Sequence, residues 1–218
     1  MIDWKEKVPL VHYSNIYKTL DPSEIAARCN LIFDDVKKTF SLCLMGVEYQ
    51  ITHPEFSMKS LVSIKPLDGG KEVFVSDAET KVLVLRFLCE GHARASSGKQ
   101  LSYREIPWGE VYFKNFEGRC IKRVERTFGE CIENFCKIFS ENKNLKATPL
   151  EGKKSGFRFE FLSGLYMSII IWEGDDEFPA SAQILFDDNF PAAFTAEDIA
   201  AVGDVSITAL KNMLGKSI

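Results

Sequence analysis

Phe157-Arg-Phe-Glu-Phe-Leu-Ser-Gly-Leu-Tyr-Met-Ser-Ile-Ile-Ile-Trp172 is the stretch that decides the fold. Phe157, Phe159 and Phe161 alternate with Arg158 and Glu160, the period of two expected of a strand with one buried face. Leu165–Trp172 follows as a second strand and Ala182–Phe186 as a third, on either side of an acidic connection. Upstream, Thr39–Met45 and Val47–Thr52 alternate in polarity about Gly46, which predicts an antiparallel hairpin. Asp68-Gly69-Gly70 predicts another, joining Leu61–Lys65 to Glu72–Val75.

Helix signals lie between these strands. Asp21-Pro22-Ser23-Glu24 combines an N-cap, Pro at the first helical position and Glu at the third, and predicts a helix to about Cys29. Ser76-Asp77-Ala78-Glu79 opens another, carrying Val82, Leu85, Phe87, Leu88 and Cys89 and closed by Gly91. His92–Gly98 reads as a loop and Ser102–Ile106 as a short strand before Pro107-Trp108-Gly109. Glu110 to about Asn142 is helical with breaks expected at Gly118 and Gly129, and Ile132, Phe135, Cys136 and Phe139 mark a buried stripe. Asn142–Gly156 is a polar loop, and Thr195-Ala-Glu-Asp198 caps a last helix reaching about Leu214. Strands in adjacent pairs and helices in groups predict an α+β fold. Its antiparallel sheet is built from hairpins with helices packed on it, and residues 1–218 form a single domain with 1–100 as a candidate N-terminal subdomain.

Seventeen Phe supply the apolar area a core needs. A net charge of −4 argues against sequence-independent nucleic-acid binding, which requires many cations facing phosphates. No apolar run approaches a membrane span, since Leu165–Trp172 is short and contains Ser168, and the N-terminus has no signal-peptide core. The expectation is a cytoplasmic protein with no membrane and no nucleic-acid partner. Cysteines at 29, 43, 89, 120, 131 and 136 form no C-x-x-C pair and read as reduced thiols.

Chemistry concentrates in Trp172-Glu-Gly-Asp-Asp-Glu-Phe-Pro-Ala-Ser-Ala-Gln-Ile-Leu-Phe-Asp-Asp188, which holds six carboxylates and no Lys or Arg. A regular hairpin pairs Trp172 near Ala182 and Met167 with Asp187. That pairing splits the acids into a near group (Glu173, Asp175, Asp176, Glu177) and a far pair (Asp187, Asp188) that shapes the turn before Pro191. Glu173, Asp175 and Glu177 are the candidate ligands for a hard cation, Mg²⁺ or Ca²⁺, although the spacing fits no established cation loop. Arg119, Lys122, Arg123 and Arg126 put four cations on one helical face. That stripe reads as a solvated face, as a dock for the acidic loop, or as a site for an anionic ligand. His12, His53 and His92 read as surface or turn residues, and no hydrolase or nucleotide motif is present. Ser96-Ser97-Gly98-Lys99 resembles a phosphate-binding turn only loosely. Trp108 and Trp172, each beside a Gly, could line a pocket, but core packing is the simpler account.

The run Trp172–Ala180, followed by Ile184-Leu-Phe-Asp187 and Thr195-Ala-Glu-Asp198, resembles the hallmark of an uncharacterised prokaryotic family. That family is a domain of unknown function met largely in anaerobic bacteria and methanogens. Leu101-Ser-Tyr-Arg-Glu-Ile-Pro107 with Gly109 resembles its other recurring stretch, so the resemblance spans most of the chain. The chain departs from the family at Phe161–Met167, where prolines are usual, and it lacks the C-x-x-C-rich iron–sulfur segment that some members append. The resemblance implies an intracellular single-domain protein and no established activity.

These readings converge on a binding or accessory module for an unknown protein or small-molecule ligand. Its surface would centre on Trp172, Glu173, Asp175, Asp176 and Glu177, with Arg119 and Arg123 as further contacts. A divalent-metal-dependent hydrolase using the same carboxylates is the alternative. An accessory to an iron–sulfur or corrinoid system follows from family context alone.

Overall fold

In the computed structural model, which describes residues 4–61 and 78–214, the Phe157–Trp172 stretch forms two adjacent strands in the middle of the sheet. Helices α1 (Trp4–Thr19) and α2 (Pro22–Cys29) precede strands β1 (Ile32–Asp34), β2 (Thr39–Leu44), β3 (Val47–Thr52) and β4 (Met58–Ser60). Helix α3 (Ala78–Glu90) and strand β5 (Gln100–Ser102) follow, then a 3₁₀ turn at Tyr103–Glu105. Next come α4 (Gly109–Phe116), a π-helical segment Glu117–Ile121, α5 (Lys122–Phe128) and α6 (Ile132–Glu141). The chain then forms β6 (Thr148–Pro149), β7 (Gly156–Leu162), β8 (Leu165–Trp172), β9 (Ser181–Asp187), α7 (Phe190–Ala193) and α8 (Ala196–Met213). Among the described residues the strands form one nine-stranded antiparallel sheet, in the order β4-β3-β2-β7-β8-β9-β5, with β1 on β2 and β6 on β7. The fold is α+β.

Local chemistry explains most boundaries. The Asp21 carboxylate accepts from the Ser23 N–H at 2.7 Å, with Pro22 at the first helical position of α2. Met45 and Gly46 turn β2 into β3 with positive φ at both, the geometry that suits a two-residue hairpin. A Cβ on Gly46 would also sit 2.7 Å from the Asn144 backbone, so this turn needs glycine twice over. Thr195 and Asp198 form the reciprocal cap of α8. The second predicted hairpin, Leu61–Lys65 with Glu72–Val75, falls outside the described residues but for Leu61.

Three expectations change, and one helix is added. Ser102–Ile106 is not a strand: β5 ends at Ser102 and the chain coils into the 3₁₀ turn, closed by the Ser102 and Glu105 side chains. Gly118 does not break its helix; the ladder widens into a π turn and continues as α5. The β8–β9 register is one residue from the regular hairpin, with Trp172 opposite Ser181 and Met167 opposite Phe186. Helix α1 has no counterpart in the sequence reading. Pro9 sits inside it and Val8 and Val11 are exposed, so no one-sided apolar stripe announces it.

Buried residues from both ends of the sheet and from α3, α5, α6 and α8 form one apolar cluster. Phe rings supply much of it, including Phe128, Phe135, Phe139 and Phe157 in edge and stacked contacts. β7 forms where the alternation predicts a strand, but its burial does not alternate: Phe157 and Arg158 are both half-buried, and Glu160 does not face water. It is buried, accepts from the Gly164 N–H at 2.9 Å and pairs with Lys146. Asp187, at 0% exposure, receives two bonds from the Arg158 guanidinium, at 3.1 and 2.5 Å. These pairs fix β7 against β9 and the loop before β7.

Candidate functional site

The acidic connection between β8 and β9 is a closed turn. The Asp175 carboxylate accepts from the N–H groups of Glu177 and Phe178, at 2.9 and 2.7 Å, and the Asp175 N–H donates to the Phe178 carbonyl. Those backbone bonds hold the Asp175 carboxyl below its ordinary range. A Cβ on Gly174 would lie 2.6 Å from the Ala180 nitrogen, which explains the glycine. Glu173, Asp175, Asp176 and Glu177 all face solvent, beside the exposed rings of Trp172 and Phe178. The turn's own N–H groups answer the Asp175 charge. Among the described residues no group of three or more His, Cys, Asp or Glu side chains is placed to hold a metal ion. Glu173, Asp175 and Glu177 are not gathered into such a group, and one oxygen of the Asp175 carboxylate accepts both backbone donors of its turn.

The far pair behaves differently. Asp187 is the buried partner of Arg158, while Asp188 accepts from the Ser96 hydroxyl at 2.7 Å, the Ser97 N–H at 3.0 Å and the Ser97 hydroxyl. The two serines pull the Asp188 carboxyl below its ordinary value. The Ser96-Ser97-Gly98 turn therefore already holds an anion, one belonging to the protein.

Arg119 and Arg123 do not meet the acidic turn. Arg119 donates to Asp204 at 2.9 Å and to Glu79, and Arg123 bonds Asp204 and the Thr208 hydroxyl. They tie the π segment and α5 to α8 and α3, and their charge is spent there.

Adjoining pockets lie elsewhere, where α3, the Pro107–Tyr112 segment and the start of α8 meet. Three pockets there share Arg86; the one lined by Arg86, Trp108, Val111, Tyr112, Ala196 and Glu197 has a volume of about 490 Å³. The 3₁₀ turn positions this wall. Tyr103 stacks on Phe116 at 3.9 Å, and its hydroxyl donates to the Ala196 carbonyl at 2.7 Å, pinning the turn to the first residue of α8. Burial pushes the Tyr103 hydroxyl up to about 12, so it stays a donor. Gly109 is obligatory, because a Cβ there would meet the Tyr103 carbonyl oxygen at 1.8 Å.

Between Pro107 and Gly109, Trp108 takes φ 66°, a left-handed backbone that bulky side chains avoid. The residue is 76% exposed. Arg86 forms the floor, bonded to Asp198 at 2.9 Å, within 3.9 Å of Glu90 and over the Tyr13 ring at 5.3 Å. Its Nε is buried and has no partner among the described residues. Core packing of Trp108 and Trp172 is thus overturned: both rings reach the surface, and Trp108 walls the groove.

Fold and surface together define an α+β protein with a groove lined by an exposed indole and a paired guanidinium. The family profile described as Domain of unknown function (DUF3786) matches residues 21–209, and the chain belongs to that family. No curated protein and no solved structure matches the chain. Among the described residues no helix is long and apolar enough to cross a membrane.

Proposed function

We propose that this domain is a binding module whose recognition surface is the groove around Arg86 and Trp108. One observation carries the reading: a large aromatic ring is held out to water on a left-handed backbone, at the lip of a pocket of ligand size. Such backbone costs about 1–2 kcal/mol, and strain of this kind collects at ligand clamps. Ligand sites occupy about 300–1,000 Å³, which the groove satisfies. Ligand-observed NMR against a collection of neutral, cationic and anionic aromatic fragments tests this. Fragments should bind the wild type and lose binding in Trp108→Ala. Equal binding to both proteins would remove the groove from the account.

A second reading keeps the Trp172–Pro179 turn as a docking surface for a basic protein segment. It is favoured by the exposed rings of Trp172 and Phe178 flanking Glu173, Asp176 and Glu177 on an internally locked turn. Glu173→Gln, Asp176→Asn and Glu177→Gln together, with Asp175 left in place to hold the turn, should abolish capture of an Arg-rich peptide if this surface is used. Unchanged capture would dismiss it.

A further inference from the structure

The charges around the groove do not cancel, and the remainder selects a ligand. Arg86 is matched by Asp198 at 2.9 Å, with Glu90 a second carboxylate at 3.9 Å. Arg119, the other cation lining the depression, is matched by Asp204 and Glu79. Glu197 is left over: it is exposed, stands in the first turn of α8 and has no ion pair among the described residues. It lines the same pocket as Trp108 and Tyr112, which are 76% and 43% exposed.

Aromatic faces carry partial negative charge and attract cations, and a carboxylate beside them adds to that field. Val111 and Ala196 give the same pocket an apolar wall. An anion would fare worse. The N-terminal turn of α8, the natural place for one, is already capped by Asp198, which accepts from Thr195, and Glu197 stands in the same turn. An incoming anion would meet both carboxylates beside Arg86, whose guanidinium is already bonded to Asp198.

We infer that the groove binds a small organic cation, an alkyl- or aryl-ammonium or guanidinium, with its charge between Glu197 and the faces of Trp108 and Tyr112. This rests on the groove being the recognition surface, and names what it recognises.

The test follows the Trp108 indole N–H by ¹H–¹⁵N NMR during titration with three probes of one shape: phenethylammonium, 2-phenylethanol and phenylacetate. Trp108→Phe assigns the resonance. Phenethylammonium should shift it saturably and bind about tenfold more tightly than phenylacetate. Its affinity should fall several-fold in Glu197→Gln, and less in Glu90→Gln, which serves if the first variant folds poorly. High salt should weaken it further. If phenylacetate or the alcohol binds as tightly as the ammonium, the cation assignment fails while the groove stands as a site. If no probe moves Trp108 at millimolar concentration, the cation assignment and the groove both fail.

Discussion

Replacing Trp108 by glycine separates a residue kept for the surface from one kept for the core. Three terms decide its effect on stability. Left-handed backbone at a bulky residue costs about 1–2 kcal/mol, which glycine relieves. Glycine gives back about 0.4–1 kcal/mol through the greater freedom of the unfolded chain. Only about a quarter of the residue is covered, since 76% is exposed; at about 250 Å² for the whole side chain and 25 cal/mol per Å², its contacts amount to about 1.5 kcal/mol. The sum runs from almost no change to a loss of about 1.5 kcal/mol. A tryptophan packed in the core would instead lose about 3–5 kcal/mol on truncation. Urea unfolding followed by circular dichroism distinguishes the two, with Phe116→Ala as a buried reference from the same helix. A loss near that of the reference would refute the placement of Trp108 and the strain argument built on it.

Three other outcomes follow from the same physics. Asp187→Ala strands the Arg158 guanidinium; because Arg158 can turn partly to water, the loss should fall near 3 kcal/mol by chemical denaturation, and a change under 1 kcal/mol would mean the pair is not buried. The Asp188 carboxyl should titrate below its ordinary 3.8 by NMR. The stability it adds is therefore complete above that value and lost as pH falls through the lowered one; Asp188→Asn should remove this part of the acid dependence, and a native midpoint at or above 3.8 would contradict it. Burial holds the Cys29 and Cys120 thiols at about 11 and about 12, so iodoacetamide at mildly alkaline pH should label half-buried Cys131 and Cys136 first and reach the other two only after unfolding. Early labelling of Cys120 would place it outside the core.

Sequence patterns revealed the elements that rest on local chemistry. The caps at Asp21 and Thr195, the turn at Gly46 and the strand over Phe157–Phe161 each rest on a few neighbouring residues and appear where expected, although burial along that strand does not alternate. The acidic run was visible, but not its answer: Asp175 bonds its own turn, whereas Asp187 reaches Arg158 across two strands. Arg119 and Arg123 looked free because Asp204 lies about eighty residues away in sequence. The groove was illegible for the same reason, since Arg86, Trp108 and Glu197 come from three separated segments and no spacing rule joins them. Pro107-Trp108-Gly109 offered one signal. A tryptophan wedged between proline and glycine sits where a turn can force it outward.

The most direct measurement puts the groove against the acidic turn in one spectrum. With 5-fluorotryptophan at positions 4, 108 and 172, ¹⁹F NMR reports both surfaces while phenethylammonium is added. Movement of the Trp108 signal, with Trp172 still, is the expected result. A shift confined to Trp172 would move the binding surface to the acidic turn and contradict this account.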